Sequence, residues 1–112
     1  MPVVEITKEN FEEEIKNSPL PTVLDFWGPK CGSCMALMPK YHEISDNPKY
    51  GSNFKFCSVD TSKNRRVSMM VRPAVMALPT FLFFKNGAEV ARLSGSGLTI
   101  EKITEKLDEL SA

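Results

Sequence analysis

The residues best suited to covalent chemistry are Cys31 and Cys34, which bracket the run Cys31-Gly32-Ser33-Cys34. The thiolate is the species that attacks a disulfide sulfur, so a dithiol at this spacing suits exchange of electrons with another cysteine pair. Cys31 follows closely on a β-branched and aromatic run ending at Trp27, and Cys34 falls in the first turn of the helical pattern that comes next. Unpaired N–H groups and the positive dipole end at a helix start favour the thiolate. Lys30 adds positive charge immediately before Cys31. In this arrangement Cys31 attacks a substrate disulfide to form a mixed disulfide, and Cys34 reaches back across one helical turn to resolve it. Gly32 and Ser33 allow the tight turn without a large side chain blocking access.

The competing use of such a pair is metal binding. Tetrahedral zinc takes four ligands, and only Cys57 and His42 remain as soft candidates. Cys57 stands mid-strand in an apolar stretch, where a buried, inert cysteine is the commoner outcome. His42 reads as an exposed or capping residue of its helix. The strand–turn–helix setting favours redox chemistry over metal.

The flanking segments must position the pair. Thr22-Val23-Leu24-Asp25-Phe26-Trp27 reads as a strand buried on both faces apart from Asp25, and Gly28 and Pro29 end it. From Gly32 to Ser45, Leu37, Met38, Tyr41 and Ile44 recur at helical spacing, with Pro39 expected to kink the helix. Upstream, Val3 to Ile6 forms a short strand, and Thr7 caps a helix over Lys8 to Lys16 that Pro19 and Pro21 terminate. Downstream, Phe54 to Val59 is a strand, and Asp60 to about Val71 carries a weak helical pattern. Pro79 to Phe84 and Ala88 to Leu93 form a hairpin through Asn86-Gly87. After the loop Gly95-Ser96-Gly97, Thr99 caps a last helix with Ile100, Ile103, Leu107 and Leu110 on one face. The order β-α-β-α-β-α-β-β-α predicts an α/β fold, a central mixed sheet flanked by helices on both faces.

At 112 residues the chain is sized for one domain, 1–112, able to bury a core without disulfide staples. Fourteen basic side chains balance fourteen acidic ones, with no Lys/Arg stripe, so neither nucleic acid nor an anionic membrane surface is the expected partner. No apolar run approaches the ~20 residues of a membrane span. Met1-Pro2-Val3-Val4-Glu5 has neither a basic segment nor an apolar signal core, so a cytoplasmic protein is expected. Three cysteines, an odd number, fit a secreted disulfide framework poorly.

With these residues in place, the sequence resembles the thioredoxin family over nearly its whole length. Val23 to Trp27 followed by Cys31-Gly32-Ser33-Cys34 is similar to the family's strand and active-site loop. Pro39, five residues past the second cysteine, matches the helix proline. Leu78-Pro79-Thr80 with Phe81 to Phe84 and Lys85-Asn86-Gly87 matches the proline-bearing strand and hairpin, and Gly95 matches the glycine after the last strand.

The resemblance implies the thioredoxin fold, with Pro79 in the cis form facing the dithiol and the Leu78 backbone pairing with an extended substrate segment. It also implies a buried aspartate at Asp25, where desolvation raises the pKa and suits the carboxylate to accept a proton from Cys34. Trp27 packs beside the active-site loop. Met35, Met38 and Met76 are candidates for an adaptable apolar rim.

Three positions depart from the family pattern. Lys30 stands where a tryptophan is common, Ser33 where a proline is common, and Phe56 where many members carry a lysine beside the aspartate. The segment from Asp60 to Pro79 is longer than usual and carries Arg65, Arg66 and Arg72, which bears on what docks there. The implied function is reduction of protein disulfides by dithiol exchange without cofactor or metal. Its expected partners are disulfide-containing proteins and a thioredoxin-reductase-type electron donor, and the protein is expected to be a monomer.

Overall fold

A computed structural model describes residues 3–111; Met1, Pro2 and Ala112, which belong to the terminal segments read above, lie outside the described residues. Five strands form one sheet: β1 (Val4–Glu5), β2 (Thr22–Trp27), β3 (Lys55–Asp60), β4 (Thr80–Lys85) and β5 (Ala88–Ser94). Their order is β1-β3-β2-β4-β5. β3 runs parallel to both β1 and β2, and β4 runs antiparallel to both β2 and β5. The helices are α1 (Gly32–Asp46), the single turn α2 (Pro48–Gly51) and α3 (Ile100–Ser111). The mixed sheet expected from the element order is the one observed.

β2 is the middle strand of the sheet, a position its apolar, β-branched and aromatic sequence suits. It is hydrogen-bonded on both edges, and five of its six residues are buried. Side chains alternate between the two faces of a strand. Leu24 and Phe26 join Cys57, Val59, Leu82 and Phe84 in one core layer, covered by Phe11 and Ile15 and by Val67 and Val71. Val23 joins Phe56, Phe81 and Phe83 in the other, covered by Leu37 and Tyr41 of α1 and by Ile103 and Leu107 of α3.

Two expected helices are shorter than their patterns suggested. Between Lys8 and Lys16 only Glu12–Lys16 forms a regular turn. It winds wide, the Asn17 N–H reaching the Glu12 carbonyl (2.9 Å) five residues back, before Pro19 ends any continuation. Thr7 does cap this segment, exchanging hydrogen bonds with Asn10 through both side chains. In the 60–71 segment the helix shrinks to the 3₁₀ stretch Arg65–Met69. Its start is consumed by Asp60, whose carboxylate accepts from the Ser62 N–H (2.9 Å) and hydroxyl (2.6 Å) at the end of β3. Only Val67 and Val71 anchor the segment, and Pro73 follows. Arg92 of β5 holds the irregular return, donating to the Pro73 carbonyl (2.8 Å) while paired with Glu89.

α1 runs unbroken through Pro39, which is exposed; the carbonyl it leaves unpaired belongs to exposed Met35 and can be met by water. Farther along, Tyr41 is fully buried and ties α1 to the sheet. Its hydroxyl donates to the carbonyls of Cys57 (2.7 Å) and Val23 (3.2 Å), on β3 and β2. Its ring meets those of Phe56 (5.4 Å) and Phe81 (5.5 Å). The hairpin turn places Asn86 (φ 53°) and Gly87 (φ 79°) in left-handed conformations, as a tight turn of this kind requires.

A buried hydroxyl that satisfies main-chain carbonyls contributes about 1 kcal/mol net. Tyr41→Phe keeps the ring packing and removes that bond. Urea unfolding is expected to give a loss of about 1 kcal/mol with an unchanged m-value and an unchanged far-UV spectrum.

Candidate active site

The site grows from the end of β2. After Trp27 the chain turns through Gly28, Pro29 and Lys30, and the Cys31 N–H closes the turn on the Gly28 carbonyl (3.0 Å). Gly28 is buried, and a β-carbon there would lie 3.3 Å from Leu78 Cδ1 and 3.6 Å from Thr61 Oγ1, so the loop packs closely against both. Thr61 pins the same corner, donating from its N–H and its hydroxyl to the Trp27 carbonyl (2.9 Å each).

Cys31 then serves as the N-cap of α1. Its sulfur accepts from the Cys34 N–H (3.2 Å) and lies 3.6 Å from the Ser33 hydroxyl. Cys31 and Cys34 are joined as a disulfide with their α-carbons 5.2 Å apart. The two sulfurs are not equivalent: Cys31 is half-buried at the surface, whereas Cys34 is buried beneath it. Lys30 and Gly32, on either side of Cys31, are exposed.

Asp25 lies two residues before Trp27 on the face of β2 shared with Val23, the face that α1 covers. Cys34 and Tyr41 are on the buried side of α1, and Tyr41 feels the Asp25 charge. Asp25 is only 2% exposed, and its Oδ1 has no hydrogen-bond partner among the described residues. Burial alone raises its pKa from 3.8 to about 8. Phe56, at the position expected to remove a lysine partner, stands opposite Val23 on that face and packs on Tyr41.

The remaining expected site residues occupy the adjoining loop and strand ends. The Leu78–Pro79 peptide bond is cis. Leu78 and Cys31 line one groove of about 1100 Å³. Pro79 is buried, and its carbonyl accepts from the N–H of Gly95 (3.0 Å), which adopts φ 114°. Trp27 is half-buried, with an indole N–H that is buried and unpartnered among the described residues.

Some residues fell elsewhere than expected. Met76 lines the Cys31 groove, but Met35 and Met38 do not; Met69, which the sequence reading passed over, does. Arg65 and Arg66 line it as well, whereas Arg72 borders a separate depression beside Phe11. Thr61 was missed because its role is a contact with Trp27 made across the sheet, and no local pattern reports that.

Cys57 is free and buried on the face opposite Asp25, in the layer with Leu24. Burial pushes its thiol up to about 12, so it stays protonated and inert at neutral pH. His42 is exposed. Among the described residues no group of three or more His, Cys, Asp or Glu side chains converges on a possible metal position.

The thioredoxin family model matches residues 2–109. Thioredoxin C-3 of Corynebacterium nephridii is 33% identical over 88% of this chain and 64% of its own length. The thioredoxin of Acetoanaerobium sticklandii is 31% identical over 88% of this chain and 90% of its own. The crystal structure of the Malassezia sympodialis thioredoxin superposes with a TM-score of 0.85 at 29% identity, covering 99% of this chain and 92% of that one. The chain thus belongs to the thioredoxin family, and the cysteine pair capping α1 makes it a dithiol–disulfide oxidoreductase.

Proposed function

We propose that the protein works as a reductant of protein disulfides, with Cys31 as nucleophile, Cys34 as resolving thiol and Asp25 as proton carrier. The unequal burial of the two sulfurs carries this reading: a substrate disulfide can reach Cys31 but not Cys34.

The reduced protein begins with the Cys31 thiolate, favoured by the start of α1, by the Cys34 N–H and by exposed Lys30. Attack on a substrate disulfide forms a bond from Cys31 to one substrate sulfur and expels the other, which takes up a proton. Cys34 next loses its proton to the Asp25 carboxylate and attacks the Cys31 sulfur. The Cys31–Cys34 bond forms, the mixed disulfide breaks, and the second substrate sulfur leaves and is protonated. Two electrons have passed to the substrate, whose two sulfurs take their protons from solvent, and Asp25 releases the Cys34 proton to solvent.

A carboxyl titrating near 8 is matched to this task, because it is basic enough to accept a proton from a thiol near neutral pH. The Ser33 hydroxyl is close enough to donate to the Cys31 sulfur, which proline could not do. Leu78, preceding cis-Pro79, offers main chain to an extended substrate beside Cys31, and Gly95 braces that strand end through Pro79. Exposed Gly32 leaves the approach beside Cys31 open, and Trp27 holds the start of the loop through its carbonyl, as substrate access requires. A thioredoxin-reductase-type donor returns the electrons. A reducing compartment such as the cytoplasm is the setting that the odd cysteine count favours, since disulfide frameworks belong to oxidising compartments.

Cys34→Ser is expected to accumulate a stable mixed disulfide with a reducible protein such as insulin, visible by non-reducing electrophoresis. Cys31→Ser should form none, and the opposite pattern would reverse the two roles. A reduction potential near or below the cytosolic thiol poise supports the reducing direction; a strongly oxidising value would overturn it.

Asp25→Asn separates proton transfer from folding. It should slow resolution of the mixed disulfide by about 10²-fold near pH 7 and abolish the pH dependence centred near 8. The native state favours the protonated carboxyl, so the stability contributed by Asp25 is complete below the ordinary carboxylate range and is lost as pH rises towards 8. In urea unfolding of the oxidised protein, Asp25→Asn should therefore match the parent near pH 4. It should become the more stable of the two as pH rises, by at most about 1.4 kcal/mol per pH unit, and level off beyond 8.

A further inference from the structure

The groove beside Cys31 carries a charge pattern of which the exchange chemistry uses only Lys30. Its walls come from the β2–α1 loop on one side and from the 3₁₀ segment with the irregular stretch leading into β4 on the other. The apolar lining is Met69, Val75, Met76 and Leu78, of which Met69 is 66% and Met76 88% exposed. Unbranched methionines left in water at a groove rim form an adaptable apolar contact surface.

Lys30, Arg65 and Arg66 stand on the same lining, and no Asp or Glu does. The chain as a whole is neutral, so this is a local excess rather than the reflection of a basic protein. None of the three has a carboxylate partner among the described residues. The acidic side chain nearest to Arg65 and Arg66 in sequence, Asp60, is buried and bonded to Ser62 of the groove wall. A shallow depression next to Arg65 and Arg66 extends the pattern, adding Lys8 and Lys63 against a single Glu9.

We propose that this groove selects protein substrates whose reducible cystine is flanked by Asp or Glu in an extended segment. The carboxylates would meet Lys30, Arg65 and Arg66 while apolar neighbours rest on Met69 and Met76. The proposal rests on the reading of the protein as a reductant that attacks through Cys31. Cations placed around the attacked sulfur raise the local concentration of anionic segments and speed their capture, an effect that salt weakens.

The test uses two disulfide peptides of equal length and hydrophobicity, one with glutamates and one with lysines beside the cystine. At low salt the parent protein should reduce the glutamate peptide with a kcat/KM about tenfold above that of the lysine peptide, with the ratio falling towards one near 0.5 M salt. Arg65→Glu combined with Arg66→Glu should invert the ratio, whereas loss of folding would depress both rates together. Arg72→Glu, which changes the charge of the same segment away from the groove, should leave the ratio as in the parent.

Binding of the same peptides with serine in place of cysteine, followed by fluorescence anisotropy, should show the same preference without any redox step. Equal or lysine-favouring binding by the parent, or a ratio as sensitive to Arg72→Glu as to the double reversal, overturns the proposal. Failure to reduce the small neutral disulfide 2-hydroxyethyl disulfide would count instead against the reductant reading, and peptide binding would still decide the groove.

Discussion

β2 is bonded to β3 on one edge and to β4 on the other, and it is covered on both faces by apolar layers. A strand held in that way is fixed by pairing along its length, and its C-terminal end launches the loop bearing Cys31. The same confinement keeps Asp25 out of water. An isolated carboxylate in such a place is costly when charged, and the protein answers by holding it protonated to a higher pH. One constraint thus places the sulfurs and tunes the acid behind them.

The second contribution comes from three chain segments meeting at one end of the sheet. Thr61 grips the Trp27 carbonyl from the end of β3, Leu78 packs on Gly28 from the approach to β4, and Gly95 binds the Pro79 carbonyl from the end of β5. Each of these is a main-chain or close-packed contact, so side-chain variation around them leaves the geometry intact. The groove can then differ in its methionines and arginines without disturbing the dithiol. Arg65, Arg66, Met69 and Met76 line the groove on the same frame that holds the dithiol.

Polar groups left unpaired in the interior are rare and call for an explanation. Asp25 Oδ1 has one, since an acid satisfied by a permanent cation would titrate too low to take a proton from a thiol. Tyr41, its neighbour in the electrostatic sense, spends its hydroxyl on the β2 and β3 carbonyls. Phe81 stands opposite Asp25 on β4, and the Tyr41 ring packs on both Phe81 and Phe56.

The residue types and spacings carried a great deal. β2, α1, the hairpin and α3 declare themselves through strong periodicity, clear breakers and a cap at Thr99, whose hydroxyl accepts from the Lys102 N–H. Cys31, Cys34 and Asp25 stand out because thiols and an acid among β-branched and aromatic residues have few other uses. Where periodicity was weak, as in the 60–71 segment, the local pattern overstated the helix. Asp60 and the prolines there decide the conformation through hydrogen bonds and ring geometry that a count of apolar positions does not register.

The sequence by itself determined the order of elements along the chain, the dithiol and the apolar neighbours of the acid, because these follow from side-chain type and near-neighbour spacing. Only the tertiary structure decided that Cys31 is accessible and Cys34 covered, and that Cys57 lies on the far face of the sheet. It alone showed that Arg65 and Arg66 reach the groove while Arg72 does not. Accessibility and charge neighbourhood depend on which distant segments pack together. They are properties of the folded surface, and no local stretch of chain contains them.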